Sequence, residues 1–157
     1  MSKQLNLLEH LDRSEALFEK TGHYQGLKKL AFHDQDPLHF EAFHSRLLST
    51  IISVRETMKY IASSPAIRDF EEFVIGLYTP EGDAIALSTG IMVHVHTLSE
   101  FIKFMIRNDY ENDPKIKPGD IFENNESWAG GVHTPDVMTV IPVFHKGELI
   151  AWIGSVA

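Results

Sequence analysis

The stretch Asn124-Asn125-Glu126-Ser127-Trp128-Ala129-Gly130-Gly131-Val132-His133-Thr134-Pro135-Asp136 runs directly into Val137-Met138-Thr139-Val140-Ile141-Pro142-Val143-Phe144. The second half is apolar and β-branched, and reads as a buried strand. The first half is a polar loop. Its Gly130-Gly131 pair can adopt backbone angles closed to other residues. Pro135 fixes its own φ and pushes Thr134 towards extended conformations. So restricted, the loop can aim the His133 imidazole and the Asp136 carboxylate at one point just before the strand. That donor pair suits a borderline divalent ion such as Mn, Fe or Zn. It equally suits a simple His–Asp hydrogen bond in a turn, and the spacing alone leaves both readings open.

Working outward, His145-Lys146-Gly147-Glu148 reads as the turn of a hairpin that returns the chain through residues 149–156. A second hairpin is predicted between 72–78 and 83–87, joined by Thr79-Pro80-Glu81-Gly82, with proline and glycine at the positions a type I turn favours. A third strand is expected over 91–96 after Gly90, and a short one at 120–122. Thr97-Leu98-Ser99-Glu100 has the form of a capping box, followed by Phe101, Ile102, Met105 and Ile106 at helical spacing. At the other end, Asp36-Pro37 is a helix-starting pair. Phe40, Phe43, Leu47, Ile51, Val54, Met58 and Ile61 then recur every three or four residues until Ser63-Ser64-Pro65, with Leu48 and Ile52 widening the stripe. Such a helix, roughly 40 Å long, is expected to lie across a sheet rather than in a coiled coil. Residues 2–21 read as a further amphipathic helix stopped by Gly22, and 22–28 as an irregular connection in which Tyr24 and Leu27 are expected to be buried. The fold class that results is α+β: a mixed or mainly antiparallel sheet with one long N-terminal helix and a shorter helix packed on it.

The chain has 157 residues, enough for about one domain with a substantial core. Its formal net charge of −8 disfavours nucleic acid or an anionic membrane as partner, and no basic stripe opposes that reading. With no cysteine, disulfides, thiolate metal sites and cysteine nucleophiles are excluded. No signal-peptide core and no membrane-length apolar run is visible, so the default location is cytoplasmic.

Of the nine histidines, His94 and His96 would share a face if their segment is a strand. The competing reading makes one buried and hydrogen-bonded and the other solvated. His23, His33, His39 and His44 fall in a turn and on polar helix faces. Asn124, Asn125 and Glu126 are candidates to support or join His133, although an asparagine-rich turn needs no such role. No nucleophilic serine motif is present, and Gly130-Gly131 is too short to cradle phosphates. The chain is therefore not expected to bind ATP itself.

Three stretches resemble the hydantoinase B family. They are Asp36-Pro37 with the long helix ending at Ser64-Pro65; Leu77-Tyr78-Thr79-Pro80-Glu81-Gly82-Asp83 with Ile91-Met92-Val93-His94-Val95; and Asn125 through Asp136, similar to the family's Asn-Asp-Pro-Tyr-x-Gly-Gly-Thr-His-x-Pro-Asp motif. Thr21-Gly22-His23-Tyr24-Gln25-Gly26-Leu27-Lys28, Ser88-Thr89-Gly90-Ile91, Asp120-Ile121-Phe122-Glu123-Asn124-Asn125 and Gly147-Glu148-Leu149-Ile150-Ala151-Trp152 resemble its acetone carboxylase branch. Glu126 and Ser127 depart from the family's Asp-Pro, and His96 stands where glycine is usual.

The resemblance implies an alpha subunit of several hundred residues, of which residues 36–157 are the start of the hydantoinase B-like domain and 1–35 a helix and connecting arm. The bare apolar end at Ala157 fits a truncated domain. It implies ATP- and bicarbonate-dependent carboxylation of acetone to acetoacetate, in a hetero-oligomer with beta and gamma subunits, ATP being bound by a partner subunit. His133 and Asp136 would be ligands of a divalent metal, manganese first with zinc or iron as alternatives; a further histidine ligand would fall just after Ala157. His94, Asn125 and Glu126 would stand behind them. The isolated chain would then be inactive. Rival expectations are a subunit of a hydantoinase- or oxoprolinase-type cyclic amide hydrolase, and a non-catalytic assembly module.

Overall fold

The structure is a computed structural model that describes residues 6–70 and 72–157. The chain begins with helix α1, Leu7–Thr21, capped by the Asn6 side chain, which accepts from Glu9 N. It stops at Gly22, whose φ of 69° suits a left-handed C-cap. Residues 2–5 of the expected first helix lie outside the described residues. A 3-10 turn, Tyr24–Gly26, and a short helix α2, Ala31–Gln35, lead to the long helix α3, Pro37–Ile61. As the Asp36-Pro37 pair predicts, Asp36 accepts from His39 N at 3.1 Å and Pro37 occupies the first turn. The short helix α4, Pro65–Arg68, follows.

Strands β1, Val74–Tyr78, and β2, Ala84–Leu87, form the first hairpin. Its turn closes with Gly82 N donating to Thr79 O at 3.0 Å, with Gly82 at φ 94°. After helix α5, Met92–Arg107, come β3, Phe122–Asn124, then β4, Met138–His145, and β5, Glu148–Val156. The β4–β5 turn places Lys146 and Gly147 at φ 51° and 86°, the pair of positive values that a tight hairpin requires. All pairings are antiparallel, in the order β2-β1-β5-β4-β3. The α+β class is as the sequence implies, and the sheet is antiparallel throughout.

One face of the sheet carries α5. Leu98, Phe101, Ile102 and Met105 pack on Val74, Tyr78, Met138, Val140, Trp152 and Val156, and α1 adds Leu11 to the same core. Glycine makes this approach possible: a Cβ at Gly154 would stand 2.9 Å from Leu98 Cδ2. On the other face α3 covers the β1–β2 end, where Ile51 meets Phe73, Ile75 and Ala86.

Four expectations need correction. Residues 91–96 are not a strand: from Met92 they form the first turns of α5. Their β-branched content misleads, because His94, Leu98, Phe101 and Met105 continue one helical stripe through the supposed capping box. Thr97 is interior, its hydroxyl donating to His94 O at 2.9 Å. Second, Val54 is 44% exposed while Ile51 is 8%. The buried line of α3 runs through Leu47, Leu48, Ile51, Arg55 and Met58, with the Arg55 guanidinium 5.0 Å over the Phe73 ring. A 25-residue helix is about 38 Å long, and strands of four and five residues cover less than half of it. Phe43 and Ile61 therefore overhang and are exposed. Third, Tyr24 and Leu27 are exposed, because their turn lies outside α1, and the Tyr24 hydroxyl reaches Glu81 Oε2 at 3.3 Å instead. Fourth, the short strand is two residues later than 120–122, paired as Phe122↔Val140 to Asn124↔Met138. No helix among the described residues is long and apolar enough to cross a membrane.

Candidate metal centre

The loop between β3 and β4 is built by its own asparagines. Asn124, the last residue of β3, accepts from Glu126 N at 2.9 Å and donates to Glu126 O and Ala129 O. That arrangement folds Ser127–Ala129 into a 3-10 turn ending at Gly130, φ 105°. A Cβ on Gly130 would lie 2.9 Å from Phe101 N and 3.0 Å from Thr97 O, so the loop rests directly on the α5 backbone. Asn125 then ties the returning strand of the loop, donating to Thr134 O at 3.1 Å. A final turn, Asp136 N to His133 O at 3.1 Å, delivers the chain to β4.

The two expected ligand residues are brought together. His133 Nδ1 lies 3.3 Å from Asp136 Oδ2; the histidine side chain is 60% exposed and the aspartate 15%. Behind them, the first turn of α5 supplies His94, only 7% exposed, with Nδ1 3.9 Å from the same Asp136 Oδ2. Both atoms, His94 Nδ1 and Asp136 Oδ2, are buried without a hydrogen-bond partner among the described residues. Desolvated polar atoms are ordinarily paired, so an orphaned carboxylate oxygen facing an orphaned ring nitrogen marks a place that fits a cation or a proton-mediated bond. The donor chemistry, one carboxylate with imidazole, matches Mn, Fe or Zn. Among the described residues no group of three or more His, Asp and Glu side chains is gathered tightly enough to hold an ion alone.

The other candidates separate. Asn125 acts on the loop backbone. Glu126 turns away: its Oε2 accepts from Trp128 Nε1 at 3.2 Å, and that indole packs edge-on against Phe104. His96 is exposed on α5, and with the segment helical it no longer shares a face with His94. The solvated reading holds for His23, His33, His39 and His44, which are all exposed. Asn124 has the largest part in shaping the loop. Its position as the last β3 residue before a turn was the available sign, but the sequence does not show which carbonyls it would meet.

Comparison with known proteins adds to this geometry. The family described as Hydantoinase B/oxoprolinase matches residues 36–157. The acetone carboxylase alpha subunit of Xanthobacter autotrophicus is 43% identical over 150 residues, which is 96% of this chain and 19% of that protein. A 5-oxoprolinase of Arabidopsis thaliana is 28% identical over 127 residues, 81% of this chain and 10% of that protein. Among solved structures, nucleotide-free acetone carboxylase superposes with a TM-score of 0.92 at 42% identity, over 96% of this chain and 20% of that one. The ATP-dependent caprolactamase of Pseudomonas jessenii, at 21% identity and a TM-score of 0.63, shares the fold. The chain thus spans about a fifth of the carboxylase subunit it matches.

Proposed function

The chain belongs to the hydantoinase B/oxoprolinase family, and from that premise we propose that it is the metal-bearing N-terminal region of an acetone-carboxylase-like alpha subunit. The observation that carries the metal is the buried, unpaired Asp136 Oδ2 between His133 and His94. The carboxylase reading rests on the 43% identity to the Xanthobacter subunit over 96% of this chain. In this reading residues 36–157 form the family domain's opening and α1 with its connection an added arm.

His133 and Asp136 would hold the ion, manganese in the first instance with zinc or iron as alternatives. A bound divalent cation supplies Lewis-acid polarisation of a carbonyl or carboxylate oxygen. The chain's own residues supply the setting. Asp136, mostly buried, contributes negative charge in a poorly solvated place, where it attracts a cation more strongly than at an open surface. His133, held at the exposed rim, presents a ring nitrogen beside it. Asn124, Asn125 and the Gly130 contact with α5 keep the loop from relaxing, so the two donors need little reorganisation to bind. The family resemblance implies a further histidine ligand just after Ala157, and Val137 and Ala157 pair beside Asp136 by two backbone hydrogen bonds of 2.8 and 3.2 Å.

With no phosphate-cradling loop here, ATP would be bound by a partner subunit. Small ketone and bicarbonate-derived carbon would meet at the metal, in a cytoplasmic assembly with beta- and gamma-type subunits. A second reading, a cyclic amide hydrolase using the same metal, draws on the 5-oxoprolinase relatives. The assay that separates them gives the full-length assembly ATP with either acetone and bicarbonate or N-methylhydantoin. Acetoacetate formed from the first, lost in His133→Ala, supports the carboxylase. Hydrolysis of the cyclic amide alone replaces it with the second reading.

A further inference from the structure

His94 lies outside the ligand pair yet is the most deeply buried of the three groups at the site. Its place is fixed from two directions. Within α5, His94 N donates to Ile91 O at 3.1 Å and Thr97 Oγ1 donates to His94 O at 2.9 Å, so the first turn is tied on both sides of the residue. Across the site, Gly130 leans on the Thr97 carbonyl and Phe101 amide, with no room for a Cβ. The helix that bears His94 and the loop that bears Asp136 are thereby clamped together one turn away from the pair. The 3.9 Å between His94 Nδ1 and Asp136 Oδ2 is then set by the packing of two elements and not by a freely moving surface side chain. It exceeds a hydrogen bond by only about 1 Å. Neither atom has a hydrogen-bond partner among the described residues, although Asp136 Oδ2 also lies 3.3 Å from His133 Nδ1.

Resting on the metal reading above, we infer that His94 is a positioning residue for the metal-site carboxylate. As the Nδ1–H tautomer it donates to Asp136 Oδ2 when a cation occupies the site. The bond restrains the carboxylate's rotation from the protein side, and the oxygen lone pairs towards the exposed His133 stay available to the ion. A carboxylate ligand hydrogen-bonded from behind binds its metal more tightly than a free one, commonly by 10- to 100-fold. The role needs a donor at this place. It does not need an imidazole lone pair.

The test uses full-length protein, Mn2+ alone as the probe, and the variants His94→Leu and His94→Gln beside wild type. Mn2+ affinity is measured by calorimetric titration, and the Mn2+-induced rise in melting temperature on the same samples. His94→Leu is expected to weaken binding about 10- to 100-fold and to shrink the Mn2+-induced rise. His94→Gln, which keeps an N–H donor, is expected to stay within about threefold of wild type, a conservative-donor rescue of the same outer-shell bond. A merely structural histidine would lower the metal-free melting temperature and leave the affinity of the folded fraction unchanged. Wild-type affinity in His94→Leu overturns the inference. Equal loss in both variants also overturns it, because the imidazole would then be a ligand itself. Should His94→Leu not fold, His94→Ala takes its place beside the Gln variant, with the same expected loss of affinity and the same overturning outcomes. No uptake by wild type removes the metal reading and this inference with it, a result distinct from every other.

Discussion

Val137 and Ala157 face each other across the β4–β5 edge, each accepting the other's backbone N–H. This pair carries the β4–β5 ladder up to the loop, and Asp136 lies one residue before it. The ladder, rather than the loop alone, therefore sets the depth of the Asp136 carboxylate. It explains how a loop rich in asparagine and glycine can hold a mostly buried acid.

The two halves of the α3 stripe differ in what they support. Ile51→Asp replaces an apolar side chain packed on Phe73, Ile75 and Ala86 with a desolvated carboxylate and is expected to cost several kcal/mol, enough to abolish most soluble expression. Val54→Asp, at a half-open position, is expected to change stability by less than about 1 kcal/mol. Soluble yield of the two variants, with a urea melt of whatever is soluble, checks this. Equal damage from both would place Val54 in the core.

Gly130 fixes loop to helix. Gly130→Ala meets the Phe101 amide and Thr97 carbonyl at a φ of 105°, and is expected to destabilise the protein by about 1–3 kcal/mol. It should also weaken divalent metal binding by displacing His133 and Asp136. Thermal melting with a parallel Mn2+ titration measures both, and an unperturbed variant would mean that the loop does not rest on α5.

The start of α3 titrates. The side-chain hydrogen bond from His39, then that from its backbone N–H, holds the Asp36 carboxyl below the ordinary carboxylate range. A carboxyl whose folded pKa is depressed contributes its cap above the unfolded value, near 4, and loses it as pH falls through the lower folded value. Acid is thus expected to fray the first turn of α3 below about pH 4, while Asp36→Ala frays it at neutral pH and abolishes that acid step. Amide hydrogen exchange at residues 38–41 reports it. Identical exchange in wild type and variant at pH 7 would show that the cap contributes nothing.

Much of the architecture is legible without coordinates because it is written in local chemistry. Asp36-Pro37 starts α3, Pro80 and Gly82 turn the first hairpin, and Lys146-Gly147 turns the last. The error over 91–96 has a physical cause: valine and isoleucine favour strands only where a sheet is there to receive them, and here tertiary packing claims the helical stripe from His94 onward. The exposed Val54 lies beside the buried line through Ile51, Arg55 and Met58, while the exposed Phe43 and Ile61 follow from the shortness of the β1–β2 hairpin, a dimension no periodicity reveals. His133 and Asp136 could be picked out because one loop carries both. The approach of His94, 42 residues away in sequence from Asp136, depends on how α5 lies against that loop, and spacing cannot supply it.

In the proposed reading, His133 and Asp136 hold a divalent ion. The measurement that tests it most directly is the metal content of full-length protein after dialysis against a chelator, for wild type, His133→Ala and Asp136→Ala. Wild type is expected to retain about one Mn, Zn or Fe per chain and both variants almost none, since each loses a ligand from a small set. The 157-residue chain alone, with two such ligands, is expected to retain little. Full retention in both variants, or a wild type that carries no metal and takes none up from Mn2+, would contradict the claim.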